Sequence, residues 1–531
     1  MQDEDFSEFA NLSPFELKDK LIAVAKTESQ KVMLNAGRGN PNFLATQPRR
    51  AFLRLGEFAV LEAERSYSYL NSGFGGLPEK DGMIERFEAY AGRFPHDPGI
   101  TFLRAAISFV RDQLDLERED FIFEMVQAFL GCVYPVPPRM LSHAEEIVSA
   151  YIGQEMFGNA PKSGPYSLFA TEGGTAAMTY IFQTLKNNGL IAPGDKVALG
   201  TPIFSPYLEI PPLPEYAMDI VDIRMDEDND WQFPQDEIAK LEDPAIKVFC
   251  LVNPSNPPSY KLSDACLKQL SDLINTKRRD LIVVTDDVYG TFADDFVSLF
   301  ATCPYNTLCV YSFSKYFGAT GWRLGVIALH EDNVLDRALA DLPKSVKTGL
   351  DQRYSSLTTD VAGLRFIDRL VADSRAVALN HTAGLSTPQQ LQMTLLALHG
   401  LLDLDGTYKA AAKHLIRHRY GKLCQEMGTE PRIGPNGVNY YTLIDLQNLG
   451  EELYGKPFAK WFSSGERGTD FLFRLARETG VVLLPGKGFE VVDASARVSL
   501  ANLTEAEYAD IGAFTRRVLD ELYQEFKSGK K

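Results

Sequence analysis

Tyr311-Ser-Phe-Ser-Lys-Tyr-Phe-Gly-Ala-Thr-Gly-Trp-Arg-Leu-Gly325 decides how this chain is read. A short apolar run, 308–312, ends at Ser312 and gives way to a turn carrying Gly318 and Gly321. That pattern predicts a buried strand followed by a glycine-rich loop. Lys315 then sits at the strand's carboxyl mouth, where open α/β sheets place their ligands. Ser312 and Ser314 precede the lysine, and Arg323 follows it in the same loop. A lysine amine is a weak nucleophile at its free pKa but forms a Schiff base readily when desolvated or set beside positive charge. Two hydroxyls and a planar guanidinium suit a phosphate dianion, the arginine through two parallel N–H bonds. An isolated SxSK would be an ordinary surface lysine; its neighbours give it weight.

Moving outward, short apolar runs at 196–199, 219–223, 247–252, 281–285, 308–312 and 324–328 alternate with amphipathic stretches such as 175–186 and 263–277. Buried strands separated by helices predict an α/β sandwich with a mostly parallel sheet. After about Gly349 the pattern is helical, and a small α+β unit follows with strands at 438–444, 481–484 and 497–500. Residues 75–150, with FPHDPGI, a helical pattern at 102–114 and the stiff run YPVPPR, predict an inserted, mostly helical subdomain. The expected division is an amino-terminal arm with part of the small domain (1–74), the insertion (75–150), a large domain (151–400) and a small carboxyl-terminal domain (401–531).

The chain has 531 residues, 45% hydrophobic and 24% charged, with a formal net charge of -17. Such an acidic balance argues against nucleic acid and anionic membrane surfaces as partners. The six cysteines contain no CxxC pair and are expected as free, buried thiols. The seven histidines show no metal-ligand spacing, and His414 and His418 lie on a basic run expected to be a solvated helix face. The start, MQDEDFSEFA, lacks the charge and apolar run of an export signal, and no apolar stretch is long enough to span a bilayer. A cytoplasmic protein with no metal is expected.

The lysine segment resembles the signature of the fold-type I aminotransferases, the aspartate aminotransferase superfamily. Resemblance implies pyridoxal 5'-phosphate (PLP) as cofactor, held by Lys315 as a Schiff base, with Ser312, Ser314 and Arg323 at its phosphate. It also implies a large domain whose mostly parallel seven-stranded sheet is sandwiched by helices, and a small α+β domain built from both termini. Other segments match in the family's order. In VVTDDVYG the resemblance assigns Asp286 to the ring nitrogen, where a carboxylate keeps the ring protonated and so an electron sink. Tyr289 of the same segment donates to the ring's phenolic oxygen, and Asp287 is expected as a neighbour facing solvent. In LVNPSNPPSY, Asn256 matches an asparagine that bonds the same oxygen, although Pro-Pro-Ser replaces the family's Pro-Thr-Gly. Gly173, Gly174 and Thr175 open a helix whose free N–H groups and dipole can receive phosphate. Phe204 of TPIFSPY matches the aromatic that stacks on the ring.

Two matches concern substrate. Arg497 of SARVSLANL resembles the arginine that grips the α-carboxylate, a task suited to a forked donor. Gly39 of LNAGRGNPNF matches a backbone contact to the same group. Tyr67 or Tyr69, ahead of NSGFGGL, matches a tyrosine lent to the neighbouring subunit's phosphate; Tyr69 is taken as the candidate, and either ring would serve equally as a core or interface aromatic. The resemblance implies a homo-oligomer, a dimer at minimum, with amino acids and 2-oxo acids as substrates.

Within the superfamily, the chain's length and motif wording resemble the branch that removes the β-carboxylate of L-aspartate as CO2, leaving L-alanine, with aspartate transamination as a side activity. That branch implies a dodecamer built from dimers. Pinning the α-carboxylate on Arg497 keeps its bond out of line with the π system, whereas the β-carboxylate bond must align with it, best in a dry pocket. Arg38, between Gly37 and Gly39, is a candidate to orient the β-carboxylate, against the equal reading of a surface or interface arginine. The rivals are a plain aspartate or alanine aminotransferase with an insertion, and a PLP-sensing regulator, which would need a basic helix-turn-helix ahead of the fold.

Overall fold

The computed structural model describes residues 14–529 except 72, 159, 161–163, 465–466, 487–488, 490 and 492–493. The acidic start MQDEDFSEFA lies outside the described residues; the first described helix is Pro14–Thr27.

Seven strands form the central sheet: β1 Tyr166–Thr171, β2 Lys196–Thr201, β3 Asp219–Arg224, β4 Ile246–Val252, β5 Ile282–Asp286, β6 Thr307–Ser312 and β7 Gly325–His330. Their order is β1-β7-β6-β5-β4-β2-β3. All neighbours are parallel except β7, which runs antiparallel to both β6 and β1. The central strands β4, β5 and β6 are mostly apolar, and all their residues but Lys247 and Asp286 are buried, because helices cover both faces of the sheet. β1, with Ser, Ala and Thr in YSLFAT, gives a weaker apolar signal and was not among the runs picked out from sequence. It is an edge strand, held by its register with β7 from Tyr166↔His330 to Thr171↔Gly325.

Helix α1 Thr46–Ser66 is followed, across the stretch 75–150, by α2 Met83–Ala91, α3 Pro98–Leu114, α4 Arg118–Leu130 and α5 Ser142–Met156. Asp97 caps α3 by accepting from the N–H groups of Gly99 and Ile100, with Pro98 in the first turn where a missing N–H costs nothing. α1, α3 and α4 pack on one another, and α1, α4 and α5 pack on a later helix, α7 Thr387–Leu402. α5 runs through residue 150 and also packs on β1, so the insertion and the large domain share this helix.

The small domain has three antiparallel strands in the order β9-β10-β8: β8 Tyr441–Asp445, β9 Leu484–Pro485 and β10 Ser495–Ser499. Beside them Leu34–Asn35 pairs in parallel with Val481–Val482, which ties the amino-terminal segment to this domain. Helices α8 Thr407–Met427 and α9 Glu505–Lys527 pack together, and Thr504 with Glu507 forms a reciprocal cap at the start of α9.

Two expectations are corrected. Asp287 does not face solvent: it is wholly buried, because the end of β5 is covered on both faces and the alternate side of the strand is core. Five of the six cysteines are buried, but Cys132 is exposed. His414 and His418 are exposed on α8, as expected. No helix among the described residues is long and apolar enough to cross a membrane, and no cluster there could hold a metal ion.

Candidate active site

A cavity of about 350 Å³ opens at the carboxyl ends of β4, β5 and β6, where the small domain meets the sheet. Except for Gly173 and Tyr69, every residue expected to touch cofactor or substrate lines it. Strands therefore set the floor, and loops leaving them present the side chains.

At one end lies a set of donors. β6 ends in Ser312, whose hydroxyl donates to Ser314 Oγ at 2.9 Å, and both serines are buried. Helix α6, Gly174–Asn187, starts at the cavity wall with Gly174 and Thr175, and its first N–H groups have no partner within the helix. Arg323 reaches the same end from a residue in the left-handed region, φ 54°, and donates to Thr320 O at 3.0 Å. Gly173 backs this end: its φ is 94°, and a Cβ there would come within 2.5 Å of Arg323 Nη2. Hydroxyls, helix N–H groups and a guanidinium converging on one corner form a cradle for a phosphate-sized dianion.

Asp286 closes β5 on the opposite wall. Its carboxylate accepts from Tyr207 Oη and from the Val288 N–H, both at 3.3 Å. Burial nevertheless pushes it up to about 6, with only partial relief from those bonds and from the Lys315 ammonium. An acid in that state is satisfied by a cation placed against it, as a protonated pyridine nitrogen would be. Behind it, Asp287 accepts from Thr285 Oγ1 at 2.6 Å, from Ser298 Oγ and from Cys309 Sγ. Burial pushes Asp287 up to about 7, so this inner carboxyl braces the turn that carries Asp286 and Tyr289.

Between these ends the Lys315 amine donates to Gly39 O at 3.0 Å, and Tyr440 Oη donates to the same oxygen at 2.9 Å. Gly39 must be glycine here, since a Cβ would overlap the Tyr441 hydroxyl and lie 3.1 Å from Lys315 Nζ. Arg497 is buried on β10; its Nη1 donates to Asn256 Oδ1 at 2.9 Å and its Nη2 to Gly37 O at 3.0 Å. The guanidinium stacks 4.2 Å from the centre of the Tyr441 ring, and its Nε has no partner among the described residues. Phe204 and Val252 supply apolar wall. Arg38 stands exposed at the rim and makes no hydrogen bond or ion pair with the described residues.

The Pro-Pro-Ser departure after Asn256 resolves locally. Ser259 keeps a left-handed backbone, φ 69°, which glycine adopts more cheaply. In exchange its hydroxyl accepts from the N–H groups of Tyr440 and Tyr441 at 3.0 and 3.3 Å, pinning β8 to the turn that holds Asn256.

Lining or supporting residues that were not singled out from sequence include Lys18 on the first helix, Tyr207 and Tyr441. Tyr441 sits in the run NYYTLIDL, where an aromatic pair reads as strand core. Its hydroxyl instead accepts from Tyr289 Oη at 3.0 Å inside the cavity. Tyr69 lies away from the cavity of its own chain, 77% exposed beside Tyr67, which also packs on Phe74.

The cradle, the lysine and the opposed, half-buried acid together fit PLP. The model of the family "Aminotransferase class I and II" matches residues 137–511. A bifunctional aspartate aminotransferase and L-aspartate beta-decarboxylase from Pseudomonas sp is 57% identical over 525 residues, 99% of each chain. An aspartate aminotransferase from Pyrococcus abyssi is 30% identical over 146 residues, 27% of this chain and 36% of that one. Among solved structures, the aspartate aminotransferase from Thermus thermophilus with maleate superposes with a TM-score of 0.58, covering 98% of this chain and 100% of that one at 16% identity, a likeness of fold. With residues 137–511, well over half of its length, matched, this chain belongs to the class I and II aminotransferases.

Proposed function

We propose that this protein is a PLP-dependent enzyme that removes the β-carboxylate of L-aspartate as CO2, releases L-alanine, and transaminates aspartate as a side activity. The observation that carries this reading is the 57% identity, end to end, with a relative whose name states both activities. Enzymes of this family act on amino acids and 2-oxo acids and are typically dimers. A dodecamer built from dimers, in the cytoplasm, is the assembly and setting proposed here.

When bound, PLP supplies a protonated ring that stores the electron pair released at the substrate's α- or β-carbon. The chain's own residues would hold it: Ser312, Ser314, Arg323, Gly174 and Thr175 at the phosphate, Asp286 at the ring nitrogen, Tyr289 and Asn256 at the phenolic oxygen, Phe204 against the ring face, and Lys315 covalently. Gly173 shapes the phosphate corner, and Tyr69 is assigned to a neighbouring subunit's site. Lys315 moves the proton at the α-carbon; its 3.0 Å bond to Gly39 O holds the amine over the cavity. Arg497, already aimed by Asn256 and Gly37 O, keeps the α-carboxylate in one plane, with Gly39 beside it. Arg38 takes the β-carboxylate, because it is a cation at the rim whose side chain is committed to nothing else among the described residues.

Incubating the purified protein with L-aspartate and no 2-oxo acid tests the reading. Sustained, equimolar release of CO2 and alanine is expected. A single stoichiometric conversion of aspartate to its 2-oxo acid, with no CO2, would leave a plain aminotransferase.

A further inference from the structure

The Tyr441 hydroxyl is a polar group inside the cavity that none of the roles above uses. It lies beside Gly39, close enough to exclude a Cβ there, and Lys315 Nζ borders the same spot. The Arg497 guanidinium stacks on its ring, and Tyr289 Oη donates to its oxygen at 3.0 Å. Its backbone is held by Ser259 Oγ and by pairing with Ser499 across β8 and β10. The hydroxyl is therefore fixed in position, and it faces the place bounded by the amine that works at the α-carbon and the guanidinium that grips the α-carboxylate.

We propose that Tyr441 is a further catalytic residue, which donates its phenolic proton to the β-carbon as the β-carboxylate leaves. This step rests on the decarboxylase reading given above. The bond between the β-carbon and the carboxylate carbon breaks, CO2 departs, and the electron pair of that bond passes into the conjugated system, from which it returns to the β-carbon as that carbon is protonated. The O–H bond of Tyr441 breaks and a C–H bond forms at that carbon. Aspartate with its net single negative charge becomes neutral alanine and CO2, so one proton from water is consumed per turnover. It returns to the Tyr441 oxygen through Tyr289, its hydrogen-bond neighbour.

The electrostatics support a hydroxyl that gives up its proton readily. Burial opposes ionisation, but Lys315 and Arg497, with the hydrogen bond from Tyr289, outweigh it and hold the Tyr441 phenol below its ordinary value. The groups facing it are Lys315 from the loop after β6, Arg497 from β10, Tyr289 and Asp286 from the end of β5, and the adjacent Tyr440. Lys315 and Arg497, the two cations among them, also stabilise the phenolate left behind.

Tyr441→Phe keeps the ring that Arg497 stacks on and removes only the hydroxyl, so three measurements separate proton donation from structure. In the full-length chain freed of cofactor, ultraviolet titration of tyrosine should show one phenol ionising below the ordinary range, absent from Y441F. With aspartate, Y441F should release alanine about 100-fold more slowly, the scale of a lost general acid, while stoichiometric conversion of aspartate to its 2-oxo acid changes only a few-fold. In the wild type, alanine formation should fall as pH rises through the Tyr441 ionisation, and 2-oxo acid formation should lack that limb. Equal losses in both reactions, or undiminished alanine release, would overturn the assignment of Tyr441 alone. A wild type that yields 2-oxo acid but never CO2 would instead overturn the decarboxylase reading, and this step with it.

Discussion

Replacing Gly173 by alanine should weaken PLP binding without touching any residue of the chemistry. Two penalties arise, and they fall on different observables. The backbone at Gly173 has φ 94° and ψ 174°, a region essentially reserved for glycine. Alanine there costs about 1–3 kcal/mol, and it costs the same with or without cofactor. That part appears as a lower Tm. The second penalty is local to the phosphate corner. The new Cβ would stand 2.5 Å from Arg323 Nη2 and 3.1 Å from its Cζ, about 1 Å inside ordinary contact. The guanidinium is the far end of a flexible side chain, so it moves aside cheaply, but in moving it leaves the cradle. A hydrogen bond to a charged group is worth about 1.5–3 kcal/mol, so losing about 2 kcal/mol raises the Kd for PLP roughly 30-fold. Titrating cofactor-free protein with PLP and following the visible band measures this directly. Gly174→Ala is the matched control, since its Cβ would meet only Ser312 Cβ and Val310 Cγ1 at 3.7 Å. Equal weakening by both substitutions, or none by Gly173→Ala, would refute the idea that Arg323 holds phosphate beside this glycine.

Asp286 carries a pH signature in the cofactor-free chain. Burial raises it from 3.8 to about 6 in the fold, so the folded state binds its proton more tightly than the unfolded state does. The stability it contributes is full below pH about 4 and is lost as pH rises through about 6, amounting to roughly 3 kcal/mol at most. Comparing unfolding free energies of wild type and Asp286→Asn from pH 4 to 7 should show curves that diverge by that amount; parallel curves would refute it. Arg38→Ala should shift the ratio of decarboxylation to transamination at least about 10-fold toward transamination, as expected for losing a charged contact worth some 1.5–3 kcal/mol. An unchanged ratio, measured as alanine against 2-oxo acid from the same incubation, would remove Arg38 from the site.

The alternation of apolar runs and helices, and the lysine loop at the end of 308–312, were legible because each is local. A buried parallel strand needs a continuous apolar run, and a ligand loop needs glycine where the backbone approaches closely. Ser312, Lys315 and Asp286 stand at or just past strand ends that periodicity locates, while the roles expected of them and of Arg323 came from the resemblance. Strand β1 escaped notice because an edge strand held by one antiparallel neighbour carries a diluted apolar pattern. Asp287 was misread because a residue next to an inward carboxylate ordinarily points to water, and only the helices packed on both faces deny it that.

The chain by itself thus determined six of the seven strands of the sheet and placed Lys315 and Asp286 at strand ends, since these depend on residue type and short-range spacing. Tertiary structure alone decided that Gly39 and Arg497, separated by most of the chain, border one cavity with Lys315. It also decided that Tyr441 turns its hydroxyl into that cavity toward Tyr289. Such meetings are set by how the small domain docks on the strand ends, and no local propensity encodes a contact between residues so far apart in sequence.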